Sequence, residues 1–283
     1  MPRLDLDRYR LPAGERFHLD RFDPRDLANF ELDKDDLKDE AKDWVKKDQE
    51  RLNDLQQCLY AQGRHGLLIV LQGMDTGGKD GTIRHVMGAF DPQGVIVTPF
   101  KVPTEEERNH DFLWRVHKAV PRRGMVGIFN RSHYEDVLVV RVKGLAPEEV
   151  WKRRYEHINR FEKLISDEGV TIVKLFLHIT PEEQAERLTE RQQRPDKQWK
   201  FNPGDLEDRK LWHHFQHAYE DALTLCNTPW APWHVIPADR KWFRNLVVSE
   251  LLMEVLEGLD MKYPQPVDDI DSYSIGPIPP RGH

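Results

Sequence analysis

The sequence predicts an α/β fold in which helices cover a parallel sheet. Short continuous apolar runs, typical of strands buried on both faces, alternate with longer stretches of helical periodicity. The first apolar run leads directly into a glycine-rich loop. Alternating strands and helices are joined most simply as parallel strands with helical crossovers. The predicted strands are residues 66–72, 94–98, 125–129, 172–179 and 233–236.

Helical stretches fill the gaps between these runs. In residues 32–62, Trp44, Leu52 and Leu55 recur at a spacing that places them on one helix face, while the other positions are densely charged. The charged face is interpreted as solvated, or alternatively as a dimer or domain-packing surface. A further helix begins at Thr180, where an N-cap threonine precedes a proline and a capping-box glutamate, and runs towards Arg191. The remaining predicted helices are residues 83–90, 104–119, 148–166, 210–225 and 241–259.

The composition is that of a highly charged globular protein. Of 283 residues, 39% are hydrophobic and 32% charged, and the net charge of −7 argues against a general nucleic-acid binder. No run approaches the roughly 18 apolar residues that span a bilayer, and the first ten residues lack an apolar signal core. We therefore expect a cytoplasmic protein with neither nucleic acid nor membrane as partner.

Two cysteines, Cys58 and Cys226, are too few for a disulfide framework or a four-thiolate zinc site. We expect both to be buried, reduced side chains. The periodicity divides the chain into an N-terminal arm (1–31), a main domain (32–262) with a lid at about 187–210, and a proline-rich tail (263–283).

A candidate phosphate-binding loop follows the first predicted strand. Residues 73–82 read G-M-D-T-G-G-K-D-G-T and fit the pattern G-x-x-x-x-G-K, with Asp80 where Ser or Thr is usual. Glycines let backbone N–H groups converge on phosphate oxygens, the following helix N-terminus adds its dipole, and Lys79 neutralises charge. The alternative is a glycine-rich turn with a surface lysine. The predicted phosphate ligands are Gly73, Thr76, Gly77, Gly78, Lys79, Asp80, Gly81 and Thr82.

Two carboxylates accompany this loop. Asp80 replaces a hydroxyl that would ordinarily bind Mg²⁺, and a carboxylate is a more charged ligand for the same ion. Asp75 lies inside the loop, where it would repel phosphate unless a cation intervened. Both are therefore predicted metal ligands, with Asp75 also a candidate general base or, alternatively, a structural cap of the loop.

Polar residues follow the third predicted strand. Asn130 stands where phosphate-loop enzymes often carry a second metal-binding carboxylate. Arg131 is expected to face the cleft and clamp phosphate, or else to form a surface ion pair. Glu135 is a further candidate ligand, whereas His133 is interpreted as a packed residue more readily than as a catalytic base.

Five segments together resemble the polyphosphate kinase 2 family. The segments, which cover about residues 32–259 in order, are G-M-D-T-G-G-K-D-G-T, P-T-E-E-E (103–107), F-N-R-S-H-Y-E-D (129–136), R-P-D-K-x-W-K-F (194–201) and A-P-W-H-V-I-P-A-D (231–239). The resemblance implies a P-loop kinase-like fold with a helical lid. It also implies reversible phosphoryl transfer between inorganic polyphosphate and nucleotides. Asn130 departs from the aspartate common there and, together with Tyr134 and Glu135, resembles the subgroup that accepts both nucleoside mono- and diphosphates.

The expected substrates are inorganic polyphosphate with AMP and ADP as acceptors, giving ADP and ATP. Mg²⁺, or alternatively Mn²⁺, is the expected metal, and we expect a homo-oligomer. Two other functions fit the loop: an ATP-dependent nucleoside or nucleotide kinase, and a nucleotide-binding protein without catalysis.

Basic residues in two segments are candidates for binding phosphates. The predicted lid carries Arg191 and Arg194, which we expect to stabilise the transferring phosphoryl group, and Lys197, although a solvated loop is the alternative. After the second strand, Lys101 and either Arg122 or Arg123 are expected near a long polyanion.

Overall fold

The computed structural model describes residues 4–12, 14–28, 30 and 36–276. Five strands form one parallel sheet in the order β2-β3-β1-β4-β5. The central strand β1 pairs with β3 on one side and β4 on the other, and its residues are buried along its whole length. The strands are β1 (Gly66–Gln72), β2 (Val95–Pro99), β3 (Val126–Asn130), β4 (Val170–His178) and β5 (Trp233–Pro237).

Helices cover the sheet in two groups, one made by α1, α2 and α10, the other by α5, α6 and α9. The α/β class, the parallel sheet and its helical cover are thus confirmed. The helices are α1 (Asp36–Gln62), α2 (Lys79–His85), α3 (Glu105–Arg108), α4 (Trp114–His117), α5 (Val139–Val142), α6 (Glu148–Asp167), α7 (Pro181–Gln193), α8 (Pro203–Lys210), α9 (Trp212–Leu225) and α10 (Lys241–Glu257).

The predicted helix over residues 104–119 is wrong as a single element. Thr104 and Glu107 form the reciprocal hydrogen bonds of a capping box at the start of α3. One turn later the helix ends, and the side chain of Asp111 accepts a hydrogen bond from the backbone N–H of Leu113. This local bond competes with helix continuation, so α3 and α4 are separate short helices.

Other boundaries differ by a few residues. The helix predicted over 83–90 begins earlier, at Lys79, and ends at His85, after which a 3₁₀ turn follows. The segment before α9 forms α8, which belongs to the predicted lid. The predicted start of the long first helix, residues 32–35, lies outside the described residues.

The N-terminal segment packs on the main domain. Tyr9, Leu11 and Leu19 are buried in the same apolar core as the sheet. The backbone N–H of Leu11 donates to the carbonyl of Trp233, so the segment runs along the outer edge of β5. This packing shields an otherwise open sheet edge.

Residues 263–276 of the predicted tail are exposed, whereas 277–283 lie outside the described residues. Both cysteines are free and buried, as predicted. None of the helices in the described ranges combines the length and the hydrophobicity that a bilayer span requires.

The carboxyl ends of the strands all meet at one edge of the sheet because the strands are parallel. The phosphate loop follows β1 there, Asn130 ends β3, and Phe100 follows β2. Ligands of open α/β sheets bind outside this edge.

Candidate active site

The phosphate loop folds tightly back on the end of β4. A Cβ atom at Gly73 would lie 2.7 Å from the carbonyl oxygen of Leu177, so this position has room for glycine alone. Within the loop, the N–H of Gly77 donates to the carbonyl of Met74 at 2.9 Å. Thr76 has a φ of +62°, which few residues other than glycine adopt. The loop therefore has the constrained, turning backbone that its glycine pattern predicts.

Lys79 is buried beneath this loop. Its Nζ donates to the carbonyl oxygens of Gly73 at 2.7 Å and Met74 at 3.2 Å. Burial, followed by the nearby charge of Arg131, lowers the pKa of Lys79 to about 8. Among the described residues it forms no ion pair within 4.0 Å, so its charge lacks a contacting carboxylate. A buried cation in this state favours an anionic ligand.

Asp75 and Arg131 form a short ion pair, at 2.5 Å. Arg131 also contacts Glu135 at 3.4 Å, and its φ of +61° turns the chain sharply after β3. Burial opposes the charge of Arg131, but Glu135 and Asp75 outweigh it and raise its pKa. Arg131 lines the cleft, as predicted, and is also paired there.

Asp80 lies between the end of β3 and the predicted lid. It accepts a hydrogen bond from Nδ2 of Asn130 at 2.9 Å and forms an ion pair with Lys200 at 3.2 Å. Burial raises the pKa of Asp80, but the bonds from Asn130 and Lys200 outweigh that effect and lower it. The carboxylate is therefore ionised at neutral pH and bridges the loop to the lid.

The oxygen donors here fit a hard divalent cation better than zinc. Within the described ranges, no group of three His, Cys, Asp or Glu side chains is placed to hold a metal without other ligands. Mg²⁺ often binds through one or two carboxylates together with substrate phosphates. Asp75 and Asp80 provide carboxylates of that kind on the loop.

A cavity of about 600 Å³ opens above the loop, between the strand ends and the lid. Its cationic side chains outnumber its carboxylates, which suits a highly charged anion. The cations are Lys79, Arg84, Lys101, Arg131, Arg187, Arg191, Lys197, Lys200 and Lys241, and the carboxylates are Asp75, Asp80, Glu190, Asp196 and Asp205.

Arg187, at the centre of α7, joins the lid to the loop. Its guanidinium donates to the carbonyls of Thr76 at 2.9 Å and Ala238 at 2.6 Å, and it pairs with Glu183. The side chain is almost fully buried. Arg187 thus fixes the base of the lid, while Arg191, paired with Asp205 at 3.1 Å, faces the cavity.

Three of the predicted cations do not reach this cavity. Arg194 points instead to Glu190 and Asp196, with which it forms ion pairs at 2.9 and 2.8 Å. Arg122 and Arg123 lie at the amino ends of the strands, opposite the phosphate loop, because the turn that holds them precedes β3. Neither residue lines the cavity above the phosphate loop, and their place near a long polyanion stays a prediction.

Gly73, Thr82 and Glu135 support the loop without lining the cavity. Thr82 Oγ1 donates to the carbonyl of Gly78 at 3.2 Å inside α2. Arg187, Lys200 and Lys241 line the cavity although they were not among the predicted site residues. The basic composition of the lid pointed to the first two, whereas nothing in the local sequence marks Lys241.

His133 is buried against Glu162, with Nε2 3.2 Å from Oε1. Burial lowers the pKa of His133 despite that carboxylate. The interpretation of His133 as a packed residue is confirmed.

Comparison with known proteins bears directly on this site. The family model described as Polyphosphate kinase 2 (PPK2) matches residues 33–264, which include the loop, the strand ends and the lid. The chain belongs to the polyphosphate kinase 2 family.

Relatives within and near this family match over most of their length. A protein of Meiothermus ruber named AMP/ADP-polyphosphate phosphotransferase is 54% identical over 261 residues, covering 92% of this chain and 96% of its own. An ADP-polyphosphate phosphotransferase of Rhodopseudomonas palustris is 40% identical over 275 residues, covering 93% of each chain.

The crystal structure of polyphosphate kinase 2 from Arthrobacter aurescens TC1 superposes with a TM-score of 0.88 at 42% identity. It covers 94% of this chain and 93% of its own. The polyphosphate kinase 2 fold therefore extends over nearly the whole chain, including part of the N-terminal segment that precedes residue 33.

Proposed function

We propose that this protein transfers a phosphoryl group reversibly between inorganic polyphosphate and AMP or ADP, giving ADP or ATP. The observation that carries the proposal is Lys79, a buried lysine with no carboxylate contact, at the phosphate loop of a polyphosphate kinase 2 chain. The excess of cations around it suits substrates that both carry phosphates.

The names of the relatives support the choice of acceptors. The Meiothermus ruber protein is named for both AMP and ADP, and the Rhodopseudomonas palustris protein for ADP. At 54% identity the first relative is the better guide. We therefore assign both nucleoside mono- and diphosphates to this chain.

Positioning and charge account for most of the proposed catalysis, because phosphoryl transfer asks little covalent chemistry of the protein. Lys79 and the loop amides hold the phosphates at the reaction centre. Arg131 and Arg191 stabilise charge that develops on the transferring group. Asp75 orients Arg131 through their ion pair and remains a candidate for activating the attacking phosphate oxygen.

Asp75 and Asp80 are the residues that would hold Mg²⁺ or Mn²⁺. A bound divalent cation would supply positive charge to the bridging and terminal phosphate oxygens. Asn130 assists through Asp80, whose carboxylate it orients by its 2.9 Å hydrogen bond.

The lid, residues 187–210, is proposed to close over the phosphates. Lys200 already contacts Asp80 across the cavity at 3.2 Å, and Lys197 pairs with Glu190. Closure would exclude water, which would otherwise accept the phosphoryl group. The division into arm, domain and tail, the cytoplasmic location and the homo-oligomer remain predictions.

The proposal is tested by supplying the purified protein with polyphosphate and Mg²⁺, and with AMP or ADP in separate reactions. We expect ADP from AMP and ATP from ADP. If neither product forms, while ATP phosphorylates a nucleoside or nucleotide acceptor, the polyphosphate assignment is wrong and a conventional kinase takes its place.

A further inference from the structure

Asp239 lies shortly after β5, between the N-terminal segment and the start of α7, the helix that leads into the lid. Its side chain is 6% exposed, so the carboxylate depends on partners within the protein. Oδ1 accepts from the backbone N–H of Thr180 at 2.8 Å. Oδ2 accepts from the hydroxyl of Thr180 at 2.9 Å and from Nε of Arg25 at 3.1 Å. One carboxylate therefore joins the N-terminal segment to the residue at which α7 begins.

Thr180 is the N-cap of α7. Its hydroxyl oxygen accepts from the backbone N–H of Glu183 at 3.1 Å, which satisfies a donor that the first turn leaves free. A hydroxyl has one proton to donate, and here that proton goes to Asp239. The lone pairs of the oxygen are then left for the helix. Asp239 thus fixes the hydroxyl in the orientation that capping requires, and with it the start of α7.

The backbone next to this carboxylate holds α7 a second time. The carbonyl oxygens of Ala238 and Asp239 accept from Nη2 of Arg187 at 2.6 and 3.1 Å. The same guanidinium donates to the carbonyl of Thr76 in the phosphate loop at 2.9 Å. Arg191 follows Arg187 by one helical turn and lines the cavity above the loop. A shift at the start of α7 would therefore move both arginines relative to the phosphate loop.

The N-terminal segment grips the same turn from the other side. The backbone N–H of Asp239 donates to the carbonyl of Pro24 at 3.2 Å. Nη1 of Arg240 donates to the carbonyl of Arg25 at 2.6 Å. Pro24 and Arg25 precede residues 33–264, which the family model matches. The support of the lid thus includes residues from outside the matched part of the chain.

We infer that Asp239 is a positioning residue for phosphoryl transfer, through which the N-terminal segment holds α7 and the lid in place over the phosphate loop. The inference rests on the proposed function and adds to it a residue outside the cavity above the loop, whose described lining does not include Asp239. Its influence on the reaction passes through Thr180 and α7.

A lid that is held less firmly admits water to the phosphoryl donor. Transfer to ADP and loss to water both break the bond between the terminal phosphorus of the donor and its bridging oxygen. In transfer, that phosphorus bonds to a terminal oxygen of ADP, giving ATP. In hydrolysis it bonds to the oxygen of water, whose proton passes to the solvent, giving inorganic phosphate. The ratio of phosphate to ATP reports how well water is excluded and is independent of the amount of folded protein.

The first variant is Asp239→Asn, which keeps the size of the side chain and removes its charge. In either orientation of the amide, an N–H group faces a donor that the carboxylate accepts from. Thr180 and Arg25 therefore lose part of their contact with this position, while the backbone bonds to Arg187 have no side-chain atom removed.

The matched control is Asp26→Asn, in the same N-terminal segment. Asp26 also accepts from an arginine, a hydroxyl and a backbone N–H, but all three donors lie within the segment. They are Nη2 of Arg8 at 3.1 Å, the hydroxyl of Tyr9 at 3.3 Å and the N–H of Ala28 at 3.1 Å. The control thus removes similar bonds from the segment and none from α7.

Both variants are assayed with polyphosphate, ADP and Mg²⁺ for ATP and for inorganic phosphate. We expect Asp239→Asn to form ATP about tenfold more slowly and to raise the ratio of phosphate to ATP at least about threefold. The control should keep the ratio of the wild type, whatever its melting temperature. An unchanged ratio in Asp239→Asn, or an equal rise in both variants, would overturn the inference.

Hydrogen exchange of the backbone amides, followed by mass spectrometry, tests the same link without turnover. Peptides from the lid, residues 187–210, should exchange faster in Asp239→Asn than in the wild type and at the same rate in Asp26→Asn. Equal exchange in all three proteins would overturn the inference and leave the proposed function standing. If the wild type forms no ATP while lid exchange changes as expected, the proposed function fails alone.

Arg25→Gln tests the part played by the N-terminal segment. The arginine is 53% exposed, so its replacement leaves the core intact. We expect lid exchange and the ratio of phosphate to ATP to change in the same direction as in Asp239→Asn, by about twofold, because Thr180 keeps its bonds to Asp239. No change in either quantity would remove the segment from the support of the lid. Should Asp239→Asn fail to fold, Arg25→Gln decides the inference by the same two measurements.

Discussion

Two regions of this protein each bury a lysine, but only one of the two lysines contacts a carboxylate. Lys174, on β4, is fully buried. Its Nζ contacts Glu162 at 2.7 Å, the hydroxyl of Tyr134 at 2.8 Å and the carbonyl of Cys226 at 2.6 Å. At the phosphate loop, Lys79 is also buried but contacts only backbone carbonyls. The first lysine has its counter-ion within the fold, and the second does not.

The difference separates structural charge from functional charge. In the buried cluster, the desolvation of Lys174 and Glu162 is offset by their mutual contact, and Lys174 and His133 together lower the pKa of Glu162 despite its burial. At the loop, burial lowers the pKa of Lys79 because no contacting carboxylate offsets it. A charge left uncompensated inside a fold is a place where a ligand completes the structure.

The largest effect is expected at the loop. Lys79→Ala should reduce turnover with polyphosphate by about 10³-fold or more, because the loop loses its direct contact with phosphate. The melting temperature should stay nearly level, since the removed charge had no partner. Coupled assays of ATP formation and thermal melts measure both. A large loss of folding would make Lys79 a structural residue like Lys174.

Lys174→Met should lower the stability of the fold, the quantity that Lys79→Ala leaves nearly unchanged. Removing the lysine leaves Glu162 buried and unpaired, which we expect to cost about 3–5 kcal/mol of unfolding free energy. Urea denaturation measures it, with Lys163→Met on the exposed face of α6 as the matched control expected to cost under about 0.5 kcal/mol. If the two variants unfold at the same urea concentration, the buried cluster contributes nothing.

Asp75→Asn should affect activity far more than stability. The neutral amide lacks the negative charge that pairs with Arg131 and attracts a divalent cation, so we expect turnover to fall roughly 100-fold. Arg131 retains Glu135 at 3.4 Å, which keeps the loop after β3 in place. Rates close to those of the wild type would remove Asp75 from the reaction.

Acid should destabilise the folded protein through two buried histidines, by less than the loss of Lys174 does. Burial lowers the pKa of His178 and of His234 to about 4, below the ordinary 6.5. Between those values the unfolded chain binds protons that the folded chain does not, so stability falls as the pH falls. Each histidine should contribute up to about 1.4 kcal/mol per pH unit in that window. Urea midpoints between pH 7 and 4.5 measure it, and His178→Gln should flatten the slope.

Much of the fold could be predicted because its signals are local. The buried run of β1 is recovered with its observed bounds, and the Thr180 cap marks the start of α7 correctly. The helix predicted over 104–119 failed because the Asp111 side chain, hydrogen-bonded to a nearby backbone N–H, ends the helical pattern without any glycine or proline.

Residues of the candidate site could be predicted where one sequence motif contains them. Those that only tertiary packing brings to the site were missed. Lys79 and Asp80 follow from the loop pattern alone. Arg122 and Arg123 looked suitable by composition, but the parallel sheet carries them to its opposite end. Arg244 lies 166 positions after Gly78, on α10, and only the packing of that helix against α2 brings its guanidinium to the loop.

The most direct test of the contrast between the two lysines is the shift in melting temperature on adding tripolyphosphate. A ligand that binds only the folded state stabilises it by about 2.7 kcal/mol at 100 times its Kd. We predict a clear upward shift for the wild type and for Lys174→Met, each compared with the same protein without ligand, and little or none for Lys79→Ala. A shift in Lys79→Ala as large as that of the wild type would contradict the conclusion that the uncompensated charge at the loop is the phosphate site.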